Sequence, residues 1–272
     1  QGMYPPGSVF KIITCASALE NIEGITGRTF NCDGTVKIGE DTVSCYDKKA
    51  HGKLDLNQAM TVSCNTTFAQ IGVELGREAL LKTGQKFGFN REFLFSDLKV
   101  NKSKLPLDSN ISKDELAWAS IGQGKDLVTP MHMALVAASV ANDGVMMEPK
   151  LLYKVLGRND RIQKTLHPKV YSRPLTPENA AVIKSMMVNV VKSGTGRSAK
   201  VKGMKVAAKT GTAEVKATKK SKVSPHAWFV GFAPADDPTL AISVVIENSG
   251  TGGVQAAPLA GSILKKAREL GY

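Results

Sequence analysis

The spacing of apolar residues over the first two thirds of the chain is mainly helical. Residues 10–19 show this spacing directly after the loop Pro5-Pro6-Gly7, which predicts that Ser8 lies at or near the N-cap of a helix. Further helices are predicted over residues 56–76, 78–82, 116–141 and 176–191. The third of these is interrupted at Gly122-Gln123-Gly124 and at Pro130.

After Gly196 the pattern changes to short runs rich in valine, isoleucine and phenylalanine. Strands are predicted over residues 205–213, 227–233 and 240–247, followed by an amphipathic helix over 258–270. The basic stretch 157–174 indicates a surface excursion rather than a linker. The expected fold class is mixed α/β of the α+β type: a helical region, then an antiparallel meander with a helix packed back on it.

The last predicted strand, residues 240–247, is apolar at nearly every position, as in a strand covered on both faces. Only two other strands are evident to pair with it. If the meander runs in sequence order, one edge of this strand is open, and an open apolar edge pairs readily with other chains. We therefore expect it to pair with a segment outside residues 1–272 or to drive self-association.

The composition of the 272 residues, 42% of them hydrophobic, predicts a folded protein with a substantial core. The longest apolar runs are much shorter than the ~20 residues that cross a bilayer, and the start of the chain lacks signal-peptide features. A net charge of +12 favours anionic partners. The one dense basic run lacks interleaved aromatic residues, so it indicates a solvated hairpin loop rather than a nucleic-acid site: Lys216, Lys219, Lys220 and Lys222.

The four cysteines form no Cys-x-x-Cys pair, so the sequence predicts neither a metal site nor a cofactor. Cys32 and Cys45 lie in the turn-rich segment 30–51 and are expected to be close enough to form a disulfide bond in an oxidising compartment. Cys15 and Cys64 lie in helical patterns and are expected to be unpaired core residues.

The first candidate for chemistry is Ser8-Val9-Phe10-Lys11. Three residues apart on a helix, the two polar side chains share a face, so Lys11 can act as a base towards Ser8 if it is buried and neutral. The same spacing occurs at Ser96 to Lys99 and at Ser262 to Lys265, and an ordinary helix cap explains Ser8 equally well when it is taken alone.

Two further motifs accompany it. Ser63-Cys64-Asn65 places two polar side chains in a helical, otherwise apolar stretch, where a kink bonded to its own backbone is the simpler explanation. Lys209-Thr210-Gly211-Thr212 lies within a predicted strand, where the glycine indicates close approach of a ligand backbone and the neighbouring side chains can hold a carboxylate. Lys82-Thr83-Gly84 has similar letters, but there the glycine indicates a helix C-cap.

The three motifs, in this order, resemble those of penicillin-binding proteins and serine β-lactamases. The surrounding sequence is most similar to the penicillin-binding transpeptidases, especially the monofunctional class B enzymes: YPPGSVFK at 4–11, SCNTTF at 63–68, IGQGKDLVTP at 121–130, KTGTAE at 209–214 and AWFVGFAP at 227–234. The resemblance implies an antiparallel sheet with helices on both faces plus a helical subdomain, with residues 1–272 forming a catalytic domain.

The resemblance also implies roles for the motif residues in a two-step acyl transfer. Ser8 would attack a D-alanine carbonyl of a stem peptide ending in D-Ala-D-Ala, or a β-lactam, and Lys11 would take its proton. Ser63 would pass a proton to the leaving group, and Asn65 would hold the substrate amide. The backbone N–H groups of Ser8 and Thr212 would form the oxyanion hole.

The substrate carboxylate would be bound by Lys209, Thr210 and Thr212, with Gly211 on the same substrate-binding strand. Family members ordinarily carry strands and a helix before the nucleophile, and a membrane anchor and a non-catalytic module further upstream. Because Ser8 is the eighth residue, we expect these to lie outside this chain. The full-length protein would then act at the extracytoplasmic face of the membrane within a cell-wall synthesis complex.

Three alternatives remain open from the sequence. A D,D-carboxypeptidase would use the same chemistry with water as the acceptor. A β-lactamase or β-lactam sensor is disfavoured because no Glu-x-x-Leu-Asn stretch occurs between the second and third motifs. A wall-binding domain without activity would be expected to have damaged motifs, and these are intact.

Overall fold

The computed structural model describes residues 2–92, 100–214 and 223–272. Its helices are α1 (Lys11–Asn21), α2 (Leu56–Val62), α3 (Asn65–Lys86), α4 (Lys113–Ser120), α5 (Pro130–Ala141), α6 (Pro177–Lys192) and α7 (Ala256–Glu269). None of the helices in these ranges has both the length and the apolar character that a bilayer crossing requires. The predicted lysine-rich hairpin loop and the Ser96 to Lys99 motif lie outside the described residues.

The central sheet has three antiparallel strands in the order β11-β10-β9. They are β9 (Ala207–Ala213), β10 (His226–Ala233) and β11 (Leu240–Ile246). The registers pair Thr210 with Phe229 and Trp228 with Val245, which is the meander expected from the sequence. Within the described residues, β11 and β9 are therefore the two edge strands of this sheet, on opposite sides of β10.

Both faces of the central sheet are covered by helices because β10 is apolar on each face. Trp228, Val230 and Phe232 join the core that contains α1 and α5. Ala227 and Phe229 alternate with them and pack with α7 on the opposite face. This arrangement confirms the predicted fold class, with an antiparallel sheet between helical layers.

The stretch predicted as one helix over residues 56–76 is two helices, and the Ser63 motif lies at the break between them. Ser63 ends α2 with left-handed backbone angles, φ 60° and ψ 43°. Cys64 is the N-cap of α3, and Asn65 is the first residue of that helix. The prediction of an uninterrupted helix is wrong here because a turn, rather than a kink, presents the two polar side chains.

The remaining helical predictions differ from the structure mainly at their ends. A break at Gly76 is confirmed, with φ 74° and ψ 167° inside α3. The interpretation of Gly84 as a C-cap is wrong, because α3 continues to Lys86. A Cβ atom at Gly84 would lie 2.5 Å from Leu105 Cδ2, so the glycine instead permits close packing inside the fold.

Among the described residues, eight further short strands form four two-stranded sheets, and the sequence predicted none of them: β1 (Thr29–Cys32), β2 (Thr35–Ile38), β3 (Asp41–Ser44), β4 (Gly52–Asp55), β5 (Met146–Met147), β6 (Lys154–Leu156), β7 (Ile162–Thr165) and β8 (Val170–Ser172). The pairs are β1-β4, β2-β3, β5-β8 and β6-β7. The β6-β7 hairpin is largely exposed, which confirms the predicted surface excursion. The first two pairs surround the turn-rich segment that carries Cys32 and Cys45.

Candidate active site

A cleft of about 830 Å³ runs along the outer edge of β9. Six of the eight residues that the sequence singled out line it: Ser8, Ser63, Asn65, Thr210, Gly211 and Thr212. The other two, Lys11 and Lys209, are fully buried and lie beneath the cleft. The structure thus brings together all three motifs, which are far apart in the sequence.

Ser8 is held in a 3-10 turn, Gly7–Phe10, that leads directly into α1. Ser8 lies near the start of the helix, as predicted, but the turn has no side-chain cap, so the alternative of an ordinary capping serine is wrong. Val9 and Phe10 are fully buried and anchor the turn, whereas Ser8 is half-buried at the cleft. Gly7 has φ +54° and donates its N–H to Gly122 O at 2.8 Å. Anchoring on both sides fixes the position of Ser8 at the cleft.

Gly211 allows the Ser8 turn to pack directly against β9. A Cβ atom at this position would lie 3.1 Å from Pro6 O and 3.1 Å from Val9 Cγ1. A Cβ atom at Gly7 would lie 2.8 Å from Thr212 O. The sequence interpretation assigned the close approach at Gly211 to a ligand backbone, but in the structure the loop before the nucleophile occupies that space.

The Lys11 side chain reaches the Ser63 motif rather than Ser8. Its Nζ lies 2.8 Å from Ser63 O, 3.2 Å from Ser63 Oγ and 2.6 Å from Asn65 Oδ1. A neutral amine can donate to Ser63 O and Asn65 Oδ1 while its lone pair accepts a proton from a hydroxyl. The position is therefore compatible with a base.

Burial lowers the pKa of Lys11 to about 7, against weaker opposing effects of the nearby Cys64 and Cys45 thiols. A charged ammonium loses its hydration in this fully buried position, which favours the neutral form. Near neutral pH the residue is poised between its two protonation states, as a general base should be. This satisfies the condition that the sequence placed on Lys11.

Ser63 lies between two lysines. Lys209 Nζ lies 2.8 Å from Ser63 Oγ and donates to Thr210 O at 2.9 Å. Burial, and secondly the charge of Lys11, hold the pKa of Lys209 well below its usual value. Because two adjacent buried lysines repel each other when both are charged, the Ser63 hydroxyl is well placed to exchange a proton with whichever lysine is neutral.

Asn65 joins this network to the end of β3. Its Oδ1 accepts from Lys11, and its Nδ2 donates to Ser44 O at 2.8 Å. The predicted contact with a substrate amide is not tested by these bonds, and the role stays a prediction. The bonds do show that Asn65 fixes the position of Lys11.

The threonines of β9 form the rim of the cleft. Thr210 Oγ1 lies 2.6 Å from Thr195 Oγ1, and Thr212 Oγ1 accepts from the backbone N–H of Gly252 at 3.4 Å. Gln123 Nε2 donates to Thr212 O at 3.3 Å. Sequence reasoning did not select Thr195 or Gln123, although Gln123 lies in the quoted stretch 121–130.

Three of the four cysteines lie side by side. Cys32 and Cys45 are close, with their sulfur atoms 3.7 Å apart, as the sequence predicted. Cys64 is buried and unpaired, as predicted, and its sulfur lies 3.8 Å from that of Cys45. Hydrogen bonds with Cys45, Thr66 and Thr67 lower the pKa of the Cys64 thiol.

Comparisons with known proteins agree with the motifs. A family model described as the penicillin binding protein transpeptidase domain matches residues 1–265. Among curated proteins, the peptidoglycan D,D-transpeptidase PbpA of Mycolicibacterium smegmatis is 34% identical over 266 residues, covering 94% of this chain and 53% of the relative. The chain therefore spans about half the length of this relative.

Solved structures give the same result. The D,D-transpeptidase domain of a peptidoglycan glycosyltransferase from Eggerthella lenta has a TM-score of 0.91 and 35% identity, covering 99% of this chain and 66% of that chain. Penicillin-binding protein A of M. tuberculosis, as a ceftriaxone acyl-enzyme, has a TM-score of 0.90 and 32% identity, covering 97% of this chain and 61% of that chain.

Proposed function

Because this chain belongs to the penicillin-binding protein transpeptidase domain family, we propose that it catalyses D,D-transpeptidation of peptidoglycan stem peptides and is acylated by β-lactams at Ser8. One observation carries this proposal: Lys11, Ser63, Asn65 and Lys209 form one hydrogen-bonded network at the cleft that Ser8 lines, with the two lysines buried beneath it. Serine acyl transfer requires a positioned nucleophile, a base and a proton path to the leaving group.

In the first step Ser8 Oγ forms a bond to the carbonyl carbon of the penultimate D-alanine, and the bond from that carbon to the terminal D-alanine nitrogen breaks. The neutral Lys11 amine takes the hydroxyl proton. Ser63 donates a proton to the departing amine and is reprotonated through the lysines on either side of it. The backbone N–H groups of Ser8 and Thr212 stabilise the oxyanion.

In the second step an amine from a neighbouring stem attacks the ester carbonyl. The new amide bond forms as the bond to Ser8 Oγ breaks, and the proton of the attacking amine returns to Ser8 through Lys11. The hydroxyl groups of Thr210 and Thr212, with the nearby Lys209, bind the terminal carboxylate of the donor peptide, and Asn65 orients its amide.

This activity places the protein outside the cytoplasm, where peptidoglycan is cross-linked. The full-length protein would be held at the extracytoplasmic face of the membrane by an anchor outside residues 1–272 and would work within a cell-wall synthesis complex. Residues 1–272 would be its catalytic domain.

The experiment that tests the function uses a stem pentapeptide ending in D-Ala-D-Ala and an amine acceptor. We expect release of D-alanine together with formation of the cross-linked product, and loss of both in Ser8→Ala. Release of D-alanine without any cross-linked product would instead identify a carboxypeptidase. Rapid hydrolysis of a β-lactam would identify a β-lactamase.

A further inference from the structure

Four potential metal ligands meet next to the active site, although they belong to separate segments of the chain. They are Cys32 at the end of β1, Cys45 after β3, His51 before β4, and Cys64 at the start of α3. One ligand atom from each lies within 4.8 Å of the others. The spacing of these residues in the sequence is Cys-x12-Cys-x5-His-x12-Cys, which lacks the short spacings of common zinc motifs.

Three distances within this cluster are close to those between the ligand atoms of a tetrahedral zinc site. A zinc–sulfur distance of about 2.3 Å places two tetrahedral thiolates about 3.8 Å apart. The sulfur atoms of Cys32 and Cys45 are 3.7 Å apart, and those of Cys45 and Cys64 are 3.8 Å apart. His51 Nδ1 lies 3.3 Å from the sulfur of Cys32.

We propose that Cys32, Cys45, His51 and Cys64 bind one structural zinc ion through three thiolates and one imidazole. Zinc suits this set because it prefers sulfur and nitrogen ligands and binds four of them tetrahedrally in closed, structural sites. All three cysteines are buried, which shields the site from water. Cys45 and His51 also line the cleft, so an ion can enter from that side.

A zinc site accounts for this cluster better than a disulfide bond does. A disulfide between any two of the cysteines leaves one buried thiol and the imidazole of His51 without a role. Hydroxyl groups of Thr66 and Thr67 lie 3.2 Å from the sulfur of Cys64. Hydroxyl donors at this distance stabilise a thiolate ligand and fix its orientation.

The proposed ion would hold the Ser63 motif in place. Cys64 lies between Ser63 and Asn65 in the chain, and Asn65 donates to the carbonyl of Ser44, the residue before Cys45. A zinc ion bound to Cys64 and Cys45 would therefore hold the residues next to both the donor and the acceptor of that hydrogen bond. In this respect Cys32, Cys45, His51 and Cys64 are positioning residues, not catalytic ones.

The test measures zinc in protein purified without a metal-binding tag and dialysed against zinc-free buffer. Mass spectrometry of the metal should find about one zinc per chain in the wild type and in the control Cys15→Ala, since Cys15 is a buried cysteine outside the cluster. Cys32→Ser and His51→Ala should lose most of the zinc. X-ray absorption of the wild type should show three sulfur ligands at about 2.3 Å and one nitrogen ligand at about 2.0 Å.

The wild-type spectrum and metal content decide the question even if the variants fail to fold. Wild-type protein that neither contains zinc nor takes it up would overturn the proposal, as would a disulfide bond between two of the three cysteines in the folded protein. A stoichiometric metal other than zinc would overturn the choice of ion. If a chelator removes the zinc and β-lactam acylation continues at the same rate, the positioning role is wrong.

Discussion

The side-chain nitrogen of Lys209 lies 2.8 Å from the hydroxyl oxygen of Ser63. Lys11 approaches the same oxygen at 3.2 Å, so one hydroxyl is shared by two fully buried lysines. From the sequence, the two lysines are expected to have separate roles, Lys11 as the base and Lys209 in binding the substrate carboxylate. Their common partner predicts that they also work as a unit in proton transfer.

This coupling is tested with a double-mutant cycle. Lys11→Ala should slow β-lactam acylation by about 10²-fold or more, because it removes the base. Lys209→Ala should slow it as well, and the double variant should be much less impaired than the product of the two effects, because groups that act as a unit are non-additive. The measurement is the second-order acylation rate constant of each variant. Strictly multiplicative effects would show that the two lysines act independently.

Acylation should depend on pH through Lys11. Burial lowers the pKa of Lys11 to about 7, and the neutral amine is the reactive base. The acylation rate should therefore rise with pH through the neutral range and level off above it. A rate profile from about pH 5.5 to 9, recorded with a β-lactam whose own charge is constant there, checks this. A flat profile would mean that Lys11 does not titrate in this range.

Close packing at Gly211 should make that position intolerant of a side chain. The methyl group in Gly211→Ala would press on Pro6 and Val9 and displace the Ser8 turn. We expect a loss of roughly 1–3 kcal/mol in unfolding free energy and slower acylation. Gly27→Ala is the matched control, because a Cβ atom at Gly27 meets no atom within 4 Å. Thermal melting and acylation rates of both variants are the measurements, and equal behaviour would contradict the packing argument.

Periodicity predicted the central elements well because their patterns are strong and local. A short run rich in valine and phenylalanine predicted β10, and Thr176 followed by Pro177 marked the start of α6. The turn at Ser63 was missed because its left-handed backbone is stabilised by contacts with Lys11 and Lys209, which lie far away in sequence.

The same reason explains why the cysteine cluster could not be predicted. Cys32 and Cys45 share one segment, so their proximity follows from local sequence. His51 ends the same segment and is brought next to Cys32 by the pairing of β1 with β4, whereas Cys64 joins them only through the position of α3. For the motif residues, three weak local signals became specific only when they were taken together and in order.

The exposed edge of β11 should affect the association of the 272-residue chain. The strand is at the edge of the sheet among the described residues, and none of its side chains is fully buried. We expect concentration-dependent self-association of the wild type, reduced in Ala241→Lys because a charge on an edge strand opposes strand pairing. Light scattering measures this. A stable monomer with the β11 amides protected from hydrogen exchange would contradict the prediction that the edge of β11 is open.

The central claim is that Ser8 is the acylated nucleophile. Ser262 provides an internal control, since it has the same spacing to a lysine but lies on the exposed face of α7, where its hydroxyl donates to Pro258 O. The most direct measurement is peptide mapping by mass spectrometry after incubation with a penicillin. We predict one adduct, on Ser8, that persists for minutes or longer and is absent from Ser8→Ala. An adduct on any other residue, or its retention in Ser8→Ala, would contradict the account.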